Sequence, residues 1–133
     1  MKVLAIDPGR EKCGVCVMDA DGSIDYQYVI ETERLSEIVS KLSSTNEIGT
    51  IVIGDGTTNR DAQQKLSALE KKIPVEVVDE KHTTELARKL YWIKNPPRGW
   101  RRLLPTSMMV PPEPVDHIVA EILAQRFLQR SLV

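Results

Sequence analysis

The sequence predicts an α/β layered domain built on a mixed sheet. Three observations carry this. Two short apolar runs open the chain, residues 3–6 and 14–18, and "DADG" at residues 19–22 follows them with hairpin-turn chemistry. Beyond the opening hairpin, helical and strand patterns alternate, which is the signature of helices laid against a sheet. Two further apolar runs, residues 51–53 and 75–78, are short and continuous, as buried parallel strands are.

Taken in order, residues 3–6 form a strand fit for the middle of a sheet, residues 14–18 a second, and residues 23–30 a third across the hairpin. From Glu33 onward Leu35, Ile38, Val39 and Leu42 recur at helical spacing, so an amphipathic helix follows. The strand at 51–53 ends on "GDGTTN". A helix over 59–72 then places Ala62, Leu66 and Leu69 on one face. The strand at 75–78 runs out on Asp79 and Glu80, and Thr83 or Thr84 is placed to cap a helix over 85–93. Residues 95–114 hold six of the eight prolines, so they read as a long loop. A last helix, 115–129, carries Ile118, Val119, Ile122, Leu123 and Leu128. The sum is a five-stranded sheet, three strands in an antiparallel meander and two parallel, flanked by helices.

A chain of 133 residues fits one domain over residues 1–133, large enough to bury a core without disulfides or structural metal. Its 41% apolar and 28% charged residues are ordinary for a globular protein. With a net charge of −1, any surface that attracts nucleic acid must be local. No apolar run approaches a membrane span and no signal-peptide core follows Met1, so a cytoplasmic protein without membrane partners is expected.

Three carboxylates occupy comparable places. Asp7 ends the first strand, Glu80 follows the last, and Asp116 begins the final helix. Strand ends and adjoining helix starts face a common crevice in open α/β sheets. Crowded carboxylates repel one another, and a hard divalent cation, Mg²⁺ or Mn²⁺, offsets that repulsion. Two such ions activate water and stabilise the leaving oxygen of a phosphodiester. Glu113, three residues before Asp116, and Asp55, after the strand at 51–53, are further candidates. Taken singly, either is more often a turn or cap residue.

"IDPGREKCGVCVMD", "VEVVDEKHTT" and "PVDHIVAEILAQRFL" together resemble the three motifs of the YqgF/RuvX family, in family order and across nearly the whole chain. The family comprises RNase H-like nucleases linked to Holliday junction resolution and pre-16S rRNA 5′-end processing. The resemblance implies an RNase H-like fold, a catalytic and metal-binding triad of Asp7, Glu80 and Asp116, and Mg²⁺ as cofactor. Related junction resolvases can use a histidine near the metals, which makes His82 and His117 accessory candidates, though a plain surface position on the helix is the commoner role for a residue placed like His117. The chain departs from the family in "IGDGTTN", where Gly-Leu-Pro is usual, in Lys81 for arginine, and in "PPEPVD" and "DHIVA". These departures bear on substrate more than on fold.

Residues 86–105 carry Arg88, Lys89, Lys94, Arg98, Arg101 and Arg102 without one acid, and Tyr91, Trp92 and Trp100 among them. Cations neutralise phosphates and aromatic rings stack on bases, so Lys94, Arg98, Trp100, Arg101 and Arg102 are candidate nucleic-acid contacts, joined by Arg10 and Lys12 beside Asp7. The plain alternative is a solvated helix face and loop, with Tyr91 and Trp92 in the core. Cys13 and Cys16 sit three apart in a strand and therefore point to opposite faces, which suits core thiols and not a redox or zinc pair. Gly9 and Gly14 permit a phosphate or a neighbouring segment to come close.

The leading expectation is a metal-dependent endonuclease acting on branched DNA or precursor rRNA. A non-catalytic nucleic-acid-binding module of the same fold is the alternative. An ATP phosphate loop of the sugar-kinase type needs two such domains, which 133 residues do not hold. Symmetric cutting of a junction favours a homodimer.

Overall fold

The computed structural model describes residues 2–56, 58–67, 69, 72–79, 81–96 and 114–131. Among them the elements run β1 (Lys2–Asp7), β2 (Lys12–Asp19), β3 (Ile24–Glu31), α1 (Leu35–Thr45), β4 (Ile48–Gly54), α2 (Asn59–Ser67), β5 (Val75–Val78), α3 (Thr83–Lys94) and α4 (Asp116–Ser131). A 3-10 turn, Thr32–Arg34, leads into α1. None of these helices is long and apolar enough to cross a membrane.

The strands form one sheet in the order β3-β2-β1-β4-β5. The first three pair antiparallel, and β4 and β5 join β1 in parallel. This is the meander plus two parallel strands expected above, with the first strand at the centre. At the hairpin between β2 and β3, Gly22 adopts φ 91°, a conformation that costs glycine little. The Asp21 carboxylate closes the turn, accepting from the Ser23 amide at 2.9 Å and its hydroxyl at 2.7 Å. Those bonds hold the Asp21 carboxyl below its ordinary value.

Central strands show why the sheet must be covered twice. In β1, Leu4 and Ile6 face α1 and α2, while Val3 and Ala5 face α3 and α4, and all four are buried. Cys13 and Cys16 obey the same alternation, one thiol in each layer, both free and buried. No dithiol pair exists.

Several boundaries differ from expectation. β1, β2 and β4 outrun their apolar stretches, because ladder pairing carries polar residues such as Asp7 into the strand. α2 closes at Ser67, and Lys72 to Pro74 are not helical. Proline disfavours helical backbone just before it, which turns that segment away from helix. Neither threonine caps α3. His82 takes the N-cap position in the left-handed region at φ 63°, and Thr83 is buried inside the first turn.

Candidate active site

Asp7 is the last residue of β1, and its cross-strand partner in β2 is Gly14. Alternation puts Asp7 on the face of Val3 and Ala5, under α4. Gly14 is what lets α4 come down there. A Cβ on Gly14 would fall on the carbonyl carbon and oxygen of Asp116 and stand 2.7 Å from the His117 nitrogen. Facing residues on an antiparallel pair are about 5 Å apart at Cα, so the first residue of α4 lies beside the end of β1. Asp7 and Asp116 therefore share one face at one end of the sheet.

The two acids differ in surroundings. Asp116 is half-buried, and loss of water raises its carboxyl above the ordinary value, while the charges of His117 and Lys12 pull the other way. Lys12, Gln27, Pro114 and His117 line an open cleft of about 470 Å³ between the β3 edge and the start of α4. Lys12 thus sits where a polyanion entering the cleft would meet it.

The first turn of α4 is held from below. The Gln27 amide on β3 donates to the His117 carbonyl at 2.9 Å and to the Glu121 carboxylate at 2.8 Å. Glu121 is only 4% exposed, and the Lys94 ammonium from α3 reaches it at 2.8 Å. A buried charge needs such partners to persist. One turn later, Arg126 donates to the carbonyls of Asp79 at 2.7 Å and Lys81 at 2.8 Å, clamping α4 to the segment beyond β5. The Asp79 carboxylate accepts the Lys81 amide at 2.8 Å, closing that turn.

Among the remaining predicted site residues, Asp55 is exposed just past β4, its amide bonded to Val78 at 3.1 Å, so it stands at the same strand-end rim. His82 is solvent-facing, its ring 3.6 Å from Glu85. Arg10 lies on the opposite face of the sheet end, and Lys94 is occupied by Glu121. Tyr91 is buried against Trp92 at 5.0 Å between ring centres, so its ring is not offered to bases. Glu80, Glu113, Arg98, Trp100, Arg101 and Arg102 lie outside the described residues. Among the described residues no group of three or more His, Cys, Asp or Glu side chains is close enough to hold a metal ion.

No protein-family model matches this chain, and no curated protein does. Among the solved structures that match it, RuvC structures do so along nearly its full length. RuvC from T. thermophilus in complex with a Holliday junction substrate superposes with a TM-score of 0.62 at 16% identity, covering 98% of this chain and 96% of that one. A Thermus thermophilus RuvC structure gives 0.60 at 15% identity with the same coverage. The fold is RNase H-like. On this RNase H-like sheet, Asp7 ends the central strand and Asp116 opens the helix that crosses it.

Gln27, Glu121 and Arg126 were not among the expected site residues. The signal for Glu121 is its charge inside the apolar run "IVAEILA", which demands a buried partner. Nothing local marks Gln27 or Arg126, whose partners come from distant elements.

Proposed function

We propose that this protein is a divalent-metal-dependent endonuclease acting on structured nucleic acid, with Asp7, Glu80 and Asp116 as its acidic triad. The observation that carries the reading is the seating of the Asp116 backbone on Gly14, the cross-strand partner of Asp7, which brings the start of α4 to the end of β1. The RNase H-like fold supports it, since a solved protein of that fold is held in complex with a Holliday junction substrate.

The residues present fit a hard cation. Asp116 is a partly desolvated carboxylate whose ionised form burial disfavours, and a cation beside it offsets that cost. Oxygen donors of this kind suit Mg²⁺ or Mn²⁺. Asp7, Glu80 and Asp116 would hold the ions, with Glu113 as a further donor. When bound there, the ions supply water activation and stabilisation of the leaving oxygen. The chain's own part is positional. Gln27 and Arg126 fix α4, and Lys12 draws the strand's phosphates into the cleft beside Asp116.

The YqgF/RuvX-like motifs support branched DNA or precursor 16S rRNA as substrate, and a twofold homodimer suits symmetric cutting. The test is a cleavage panel of a four-way DNA junction, duplex RNA and single-stranded RNA, with Mg²⁺, Mn²⁺ or chelator at stated salt. Metal-dependent cutting of one of these is expected. Tight binding with no cleavage under either ion would instead make the protein a binding module.

A further inference from the structure

Pro8, Gly9 and Arg10 leave Asp7 and open a second cleft, of about 230 Å³, on the sheet face opposite α4. Its other wall is the first turn of α2, from Thr58 to Ala62, and Cys13 and Thr32 form the floor. Two cations, Arg10 and Lys65, line it against one acid, Asp61. Among the described residues neither cation makes an ion pair. Lys65 reaches only the Thr32 carbonyl, at a long 3.5 Å.

The carbonyl oxygens that would repel an anion are already engaged. The Thr58 hydroxyl donates to the Pro8 carbonyl and the Thr32 hydroxyl to the Gly9 carbonyl, each at 2.8 Å. These bonds also stiffen the turn between Asp7 and Lys12. The N–H groups in the first turn of a helix lack intrahelical acceptors and carry partial positive charge, which adds to the two cations. The cleft has room for several waters of about 30 Å³ each, enough for a phosphate group and its ester oxygens.

We propose that this cleft is a phosphate subsite, in which Arg10 and Lys65 hold a backbone phosphate of a nucleic-acid strand whose adjoining stretch lies at Asp7. The choice of nucleic acid rests on the nuclease reading. The phosphate chemistry of the cleft does not. Lys65 and the α2 turn thereby become part of the binding surface, and the strand is gripped on both faces of the sheet end, by Lys12 on one and Arg10 with Lys65 on the other.

The test uses the full chain and the Arg10→Gln/Lys65→Gln double variant, in which Arg10 is exposed and Lys65 half-buried. Amide NMR is followed during titration with inorganic phosphate, then with ATP. Affinity for a four-way DNA junction is measured across a salt series. Phosphate should shift the Gly9, Arg10 and Thr58 amides of the wild type and leave those of the double variant unmoved. The double variant should bind the junction about tenfold more weakly at low salt. Its slope of log affinity against log salt should flatten by about 0.9 for the phosphate lost. Absent amide shifts, or equal shifts in the double variant, overturn the subsite even if junction binding and cleavage persist. Phosphate shifts without any junction binding overturn the nucleic-acid source, and the nuclease reading with it. Tighter binding of ATP than of the junction at these amides assigns the cleft to a free nucleotide and likewise overturns the backbone source.

Discussion

Replacing Gly14 by alanine forces a choice between two backbones, because the added carbon falls on the Asp116 carbonyl. Either β2 shifts or α4 lifts, at a cost of roughly 2 kcal/mol or more by analogy with overpacked cores. Gly14→Ala should therefore lower the denaturation midpoint and abolish cleavage while every acid remains. Wild-type stability in that variant would mean that α4 does not press on β2. Asp7→Asn tests the chemistry instead. The amide preserves size but removes a negative ligand, so cleavage should vanish while junction binding stays equal or tightens. Retained cleavage would remove Asp7 from the triad. Cys16 offers a third test, through pH. Burial, and then the Glu121 charge, push its thiol up from 9.0 to about 12. The folded state therefore holds this proton where the unfolded chain releases it. The contribution is fully present below pH 9.0 and is lost as pH rises toward about 12, at about 1.4 kcal/mol per unit. Urea denaturation at pH 8 and pH 10.5 should show a shallower loss for Cys16→Ala than for wild type, and equal losses would contradict the burial. At this scale the sequence was readable where residues end elements, as Asp7 and Asp116 do. The partner of Gly14 was not readable, because a close approach is made by segments far apart in the chain.

The helix α4 is the element on which the site depends, and it is buried nearly all round in its first half. An apolar run with one charge inside it has to bring a counter-charge, and Lys94 supplies it from α3. Residue type and neighbours cast Lys94 as a nucleic-acid contact, since the basic run around it has no acid. Its partner Glu121 lies on another element, beyond the reach of local pattern. Lys94→Met leaves Glu121 buried with only Gln27, and should cost about 2 kcal/mol in chemical denaturation, less than a fully buried pair because the ammonium keeps some water. A variant as stable as wild type but weaker on nucleic acid would return Lys94 to the binding surface. The antiparallel meander and the two parallel strands were legible because apolar runs of strand length separated by helical periods admit few right-handed arrangements. Helix ends were less so. The left-handed backbone at His82 displaced the threonine cap, and nothing in the residue types around it announces that.

On the scale of the whole molecule, two apolar layers clamp one sheet, and the proposed metal site lies at the sheet's rim and not within either layer. Ion binding to such a rim stabilises only the folded chain. Mg²⁺ at about a hundredfold over its dissociation constant should add roughly 2.7 kcal/mol to the wild type, seen as a raised melting temperature, and clearly less to Asp7→Asn. Equal shifts in both would place the ion elsewhere. The seating of Asp116 on Gly14 has one more consequence, in the timing of synthesis. Chains emerge from the ribosome N-terminus first, so Asp7 and the whole meander are made long before α4. Until α4 arrives, Val3, Ala5, Cys16 and Met18 lack the helix that covers their face. A nascent or truncated chain without α4 is thus marked by an uncovered apolar face and, on the proposed nuclease reading, lacks Asp116 of the triad, so quality control and nucleolytic competence would both rest on the same last helix.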